Sequence, residues 1–416
     1  MLESGRLNQS VVAKGARAGI PATQQKKSES FQVGNVLVLS FAHFVHDIYS
    51  SFLAPLLPSL IDKLSMNLTQ AGFLGTMMQL PVLFNPFIGK IADRTSARYF
   101  IILTPMMTAV PMSLTGLAPS YTVLLFLLFT AGVSNAVFHV PTPVMISHFS
   151  GKKSSGKGMS LYMTGGELAR AISPIIAVAI VSLLSLEGFY PTMVVGLACS
   201  AWLLFRYHDV PVKKKAAPNK SLMETWRDMQ FFLLPLTAIL FARGFMYAAM
   251  TVFLPTYIKF ETGNLWYAGI SLTVLEGAGV VSTLFSGTLS DKFGRREILF
   301  ISLISSPIAI LLFILTNGWL QILMLIFTGL TLLSTTPVML AIVQEHGVNS
   351  PAAANGFYMM MSFIARSAIT VLIGIVADFV GLRTTYLISA VIGAIGTIFV
   401  FILPKKGRET DVRGAE

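Results

Sequence analysis

A single cysteine, Cys199, stands among 416 residues, which excludes a disulfide framework and any cysteine-rich metal site. Charge is scarce as well. Asp, Glu, Lys and Arg make up 12% of the chain against 54% hydrophobic residues, about half the charged share of a soluble domain, so a water-soluble globule has too little polar surface to cover this apolar content. No His-Glu-x-x-His helix occurs, Glu345-His346 being the one place where a His adjoins a Glu, and no Ser-His-Asp spacing marks a nucleophile. An intramembrane enzyme is therefore a remote reading. The polar–apolar alternation of a transmembrane β-barrel is missing too.

What is present is a set of long apolar runs. A bilayer-spanning helix needs about 20 mostly apolar residues, and twelve such runs occur near 33–61, 68–91, 99–118, 121–147, 158–184, 188–207, 230–259, 265–289, 297–316, 318–344, 353–379 and 383–403. The fold expected is all-α, with twelve transmembrane helices. The 30 residues before the first run are polar and carry Arg6, Lys14, Arg17, Lys26 and Lys27, the pattern of a cytosolic tail and not of a secretory signal.

Basic loops stay on the cytoplasmic side, and with the N-terminus placed there 24 of the 30 Lys and Arg fall on that side. Lys63, Lys259 and Arg383 are on the other side, and Arg170, Arg243 and Arg366 lie within spans. The net charge of +11 is thus a topology signal that needs no nucleic-acid partner. Both termini are expected to be cytoplasmic, in a bacterial inner membrane.

The polar stretch 208–228, with Lys213, Lys214 and Lys215, divides the runs six and six. The expected organisation is a tail over 1–30, bundles over 31–207 and 229–404 joined by a basic linker over 208–228, and a tail over 405–416. A repeat supports the division. Gly89, Asp93, Arg94 and Arg98 follow the second run, and Gly287, Asp291, Lys292 and Arg296 follow the eighth, all at an offset of 198 that also carries His148 onto His346, Gly158 onto Gly356 and Met163 onto Met361. Two parallel six-helix repeats with a midplane substrate site describe major facilitator transporters. The duplicated Gly-x-x-x-Asp-[Arg/Lys]-x-x-x-Arg loop resembles the inner-gate signature of that superfamily, whose fold it implies: two pseudo-symmetric bundles working by alternating access.

A narrower resemblance begins in the first run. Phe41-Ala-His43-Phe44-Val-His46-Asp47-Ile-Tyr49 with Leu53, Pro55 and Pro58, then Gly132-Val-Ser134-Asn-Ala-Val-Phe138-His139, then Gly165-Gly166-Glu167-Leu-Ala-Arg170-Ala-Ile-Ser173-Pro174 resemble the fosmidomycin resistance group, a drug-efflux branch. Two departures stand out: Pro141 is displaced from the His by Val140, and Ala169 and Ser173 replace later glycines. The resemblance implies export of a drug or similar small compound.

Intramembrane polar residues carry the chemistry, since each is costly unless it faces a cavity or a partner. His43 and Asp47 lie on one helical stripe with His46 beside it, and a desolvated carboxylate next to a histidine makes Asp47 with His43 or His46 the candidate proton relay, against a fixed hydrogen bond or ion pair that holds the first helix to its neighbours. Glu167 and Glu276 are the other candidates for proton coupling. Asn135 and His139 share a face that would line the cavity, and Arg170 can pair with Glu167 three residues away. Arg243 with Tyr247, and Arg366 with Tyr358, offer guanidinium forks suited to carboxylate or phosphonate oxygens. The bland alternative pairs Arg243 with Glu276 permanently. His43-x-x-His46 lacks a further ligand in sequence, so no metal or cofactor is expected. The expected function is proton-coupled antiport of a small polar or anionic compound, with proton-linked uptake of an organic anion as the alternative; the partners are that substrate, protons and the lipid bilayer.

Overall fold

The structure, a computed structural model, describes residues 31–85, 88, 97–207, 222–346 and 351–403. Among these every regular element is helical. The spans are α1 (Val33–Leu64), α3 (Arg98–Leu117), α4 (Tyr121–His139), α5 (Lys157–Leu184), α6 (Glu187–Tyr207), α7 (Met229–Thr262), α8 (Leu265–Phe293), α9 (Arg295–Leu315) and α10 (Trp319–Val343). The segment Gly356–Ile402 holds two more. Gly381, at a φ of 78°, breaks it, and a left-handed residue cannot continue a helix, so α11 covers 356–380 and α12 covers 382–402. The remaining span, α2 (Leu68–Gln79), begins on a capping box between Asn67 and Gln70 and tightens into the 3₁₀ segment Leu80–Phe84, where Pro81 removes a backbone donor.

Helical backbone also continues from Thr142 to Leu184, across the basic connection expected after the fourth run. The chain nonetheless reverses there. A Cβ placed on Gly158 would collide with Ser150 Oγ, whereas eight residues along a straight helix span about 12 Å. The fourth and fifth runs are therefore separate spans.

Packing repeats with the sequence. In the first half α1 lies on α5, α2 on α4 and α3 on α6; in the second α7 lies on α11, α8 on α10 and α9 on α12. This is the pseudo-symmetry that the offset of 198 predicts. The helix leading into α7 starts at Leu222, inside the stretch expected as linker. Residues 1–30, 208–221 and 404–416 lie outside the described residues, and so do Gly89, Asp93 and Arg94 of the first loop signature.

The halves meet along α2–α11 and α5–α8, and through the outer ends of α1 and α7. Among the described residues, the hydrogen bonds that cross between them all lie in the half of the membrane remote from the termini. Asp378, late in α11, accepts from Leu68 N at 2.8 Å, Thr69 N at 2.9 Å and Thr69 Oγ1 at 2.5 Å. It thereby caps the N-terminus of α2, where free N–H groups and the helix dipole favour an anion. One turn deeper a Cβ on Gly72 would meet Thr370 O at 2.5 Å, so only glycine lets the backbones approach this closely. Deeper still, Thr76 Oγ1 donates to Ser367 O at 2.8 Å. On the terminal side Met163, Met359 and Met360 are exposed. The chain is thus clamped on the remote side.

Asp378→Ala removes hydrogen bonds to a charged group worth about 1.5–3 kcal/mol and should shift the clamped population toward opening by roughly tenfold or more. Electron-spin distance measurements between labels at the exposed loop residues Ser120 and Asn317 should show a longer component in the variant; an unchanged distribution contradicts the clamp.

Candidate functional site

Between the clamped halves two polar groups face one another, one built by α1, α4 and α5 and the other by α7, α8 and α11. In the first, His43 and Asp47 occupy successive turns of α1, both buried. His43 Nε2 lies 3.2 Å from Asp47 Oδ2, and His139 Nε2, from the end of α4, lies 3.4 Å from Asp47 Oδ1. His43 Nδ1 donates to the backbone carbonyl of Tyr162 at 2.8 Å, and its ring stacks on that tyrosine, centroids 4.1 Å apart. His46 turns elsewhere. Its Nδ1 is 3.0 Å from Thr108 Oγ1 and its Nε2 is 3.3 Å from Asn135 Oδ1, and Thr108 Oγ1 donates in turn to Ser134 Oγ at 2.7 Å. The structure therefore joins Asp47 to His43 and His139, and ties His46 and Asn135 into a separate network with α3.

The second group is cationic. Arg243 on α7 is buried and donates through Nη2 to Thr336 Oγ1 at 2.7 Å, while its Nε has no hydrogen-bond partner among the described residues. Its guanidinium lies 4.8 Å from the ring centre of Tyr247, and that of Arg366, on α11, lies 5.2 Å from the same ring. One aromatic ring thus serves two guanidinium groups, a favourable contact of cation with π-face. Tyr358 is an electrostatic neighbour of both arginines. Neither arginine forms an ion pair with a carboxylate among the described residues, so the permanent Arg243–Glu276 pair weighed from sequence is not what the structure contains.

Arg170 and Glu167 form the expected pair on α5, three residues apart. Arg170 is also an electrostatic neighbour of Tyr247, Asp47 and Glu276, and Glu276 of Arg170, Glu167 and Arg366. These are electrostatic interactions at longer range than a hydrogen bond, and they run between the two halves. The Tyr162 carbonyl escaped the sequence reading, since a main-chain oxygen carries no distinguishing signal, and Thr336, expected only as part of a polar run lining the cavity from helix ten, proves to be the partner of Arg243.

The second loop signature is well defined. Asp291 pairs with Arg295 at 2.6 Å, and Arg295 reaches Glu345 at the end of α10 at 3.1 Å. Lys292 lies over the Phe293 ring, and Arg296 donates to Phe401 O. Arg295, adjacent to the residues singled out from sequence, is thus the ionic partner of Asp291. Gly287 has open space around it. In the first copy, Arg98 lies over the ring of Tyr99.

The model of the Major Facilitator Superfamily matches residues 39–370 and 267–416. The chain belongs to that superfamily. It is 21% identical to the fosmidomycin resistance protein of Escherichia coli over 92% of this chain and 96% of that one, and 25% identical to a major facilitator transporter of Bacillus subtilis over 89% and 92%. A bacterial homologue of the lysosomal transporter Spinster, solved inward-facing and occupied, superposes with a TM-score of 0.78 at 15% identity, covering 90% of this chain and 97% of that one. The inward-open xylose transporter of E. coli superposes with a TM-score of 0.71 at 12% identity, covering 91% and 98%. The protein is an integral membrane transporter of this fold and not an enzyme, and it resembles the fosmidomycin resistance group as the motifs of α1, α4 and α5 suggest.

Tyr247→Leu removes the face shared by two guanidinium groups, each contact being worth about 0.5–2 kcal/mol. The variant should melt earlier in detergent, whereas Tyr247→Phe, which keeps the π-face, should melt with the wild type; equal losses in both would assign the effect to the hydroxyl.

Proposed function

We propose that this transporter moves small anionic compounds across the bilayer by alternating access, coupled to protons, and that its working direction is export. The observation that carries the anion is the pair Arg243 and Arg366, which share the ring of Tyr247 and have no carboxylate ion-pair partner among the described residues. A permanent cation in the membrane is costly until an anion meets it. Guanidinium presents a planar fork matched to carboxylate and phosphonate oxygens. Tyr247 and Tyr358 supply apolar surface for the body of the same molecule.

Proton coupling is assigned to Glu276 and to the Glu167–Arg170 pair. Glu276 is an electrostatic neighbour of Arg170 and Arg366, so its charge competes with a substrate anion for Arg366. Protonation of Glu167 would release Arg170. Export is supported by the relatives, one a fosmidomycin resistance protein and another, 24% identical over 67% of this chain, a multidrug efflux pump of Streptococcus pneumoniae. The closeness of Glu276 to Arg366 also favours a second reading, proton-linked uptake: neutralising Glu276 removes a negative charge beside Arg366, which lets a proton and an anion bind together.

Flux separates the two. In inside-out vesicles with an acidic lumen, a panel of phosphonates and carboxylates that includes fosmidomycin should accumulate and the accumulation should collapse with an uncoupler; gradient-driven uptake only in right-side-out vesicles reverses the direction. Arg366→Gln and Arg243→Gln should each weaken apparent affinity at least tenfold, the worth of a charge-assisted hydrogen bond. Glu276→Gln should keep downhill exchange and lose accumulation against a gradient. Normal transport in all three variants removes the anion and coupling assignments together.

A further inference from the structure

The environment of His43 fixes its tautomer. Nδ1 lies 2.8 Å from Tyr162 O, and a carbonyl only accepts, so Nδ1 carries a hydrogen and a neutral ring presents its Nε2 lone pair. That nitrogen lies 3.2 Å from a carboxylate oxygen, Asp47 Oδ2. His43 Nε2 and Asp47 Oδ1 are both buried without a hydrogen-bond partner among the described residues. A carboxylate oxygen and an imidazole nitrogen this close in a place shielded from water are unfavourable unless something positive lies near both.

His139 completes the arrangement. One donor atom each from His43, Asp47 and His139 fall within 4.8 Å of one another, and the two closest approaches are 3.2 and 3.4 Å. These separations are long for charge-assisted hydrogen bonds, about 2.7–2.9 Å. They run to the two different oxygens of Asp47, so one carboxylate faces an imidazole nitrogen on each side. The main-chain carbonyl behind His43 is the kind of outer partner that orients a ligating imidazole. On the α5 side a Cβ on Gly166 would come within 2.6 Å of His43 Nε2 and 2.8 Å of Asp47 Oδ2, so no side chain intrudes on the donors. His139 is 38% exposed, which leaves one side of the donor set accessible.

We propose that His43, Asp47 and His139 bind a divalent transition-metal ion of the zinc class, with two buried ligands fixed by packing and the half-exposed His139 swinging in to close the site. Two imidazoles and one carboxylate form a donor set that borderline divalent ions favour over calcium or magnesium. The spacing His43-x-x-His46 pointed to a different pair, because His46 shares the helix with His43 but faces Thr108 and Asn135.

The test uses tag-free, full-length protein in detergent, titrated with Co²⁺ and then with Zn²⁺. Visible d–d bands of four-coordinate Co²⁺ should grow to one ion per chain and vanish as Zn²⁺ displaces it. His139→Ala and Asp47→Asn should lower Co²⁺ affinity at least tenfold, and Gly166→Ala should lower it by crowding the donors. His46→Gln should bind as the wild type does. Melting curves of the ion-free variants establish that each is folded, and His139, being half-exposed, is the variant on which the comparison rests. Absent bands in the wild type, or undiminished binding in folded His139→Ala, overturns the proposal and leaves a proton as the positive partner of Asp47. Because the readout is ion uptake and not flux, it is independent of whether the arginines carry the substrate.

Discussion

A charge inside a bilayer needs a partner or a cavity, because the hydrocarbon around it offers neither water nor counter-ion. The arrangement between the two halves follows from that constraint. Arg170 meets Glu167 on its own helix. Asp47 draws His43 and His139 toward it. Arg243 settles on a threonine hydroxyl and a tyrosine ring, which orient a guanidinium without neutralising it. The guanidinium groups without an ion-pair partner among the described residues belong to α7 and α11.

The same constraint governs how the halves hold each other. Lipid tails give helices little reason to associate, so contacts rely on close backbone approach and on hydrogen bonds. Asp378 shows both in one place: it belongs to one half and caps a helix of the other, next to a glycine that admits the neighbouring backbone. A clamp of few, strong and local bonds can be broken as a unit. That suits a protein that must exchange one closed side for the other, and it lies remote from the terminal side, where Arg295 ties Asp291 to Glu345 within a single half.

Much of the fold was legible because hydrophobic length and basic loops are one-dimensional signals. The twelve runs correspond to α1–α12, and the offset of 198 reappears as the repeated pairing of α1 with α5 and α7 with α11. Boundaries were less legible. Run two tightens into a 3₁₀ segment at Leu80–Phe84, and the helix entering α7 begins at Leu222 within a polar stretch, since side-chain polarity does not stop a backbone from coiling. For the candidate site, the pairs legible from sequence were those on one helix: His43 with Asp47, and Glu167 with Arg170.

The amino-acid sequence by itself determined that the chain spans a membrane many times, that it is internally duplicated, and which few charged residues lie inside the bilayer, because each of these depends on residue type and spacing along one dimension. Tertiary structure alone decided which of those charges meet. His139 reaches Asp47 from another helix, His46 turns away from it toward α3, Arg243 takes Thr336 in place of Glu276, and Asp378 finds the end of α2 across some 310 residues. The physical reason is that a desolvated polar group takes the partner that packing brings within hydrogen-bond reach, and distance in space is set by how helices cross, which no spacing along the chain encodes.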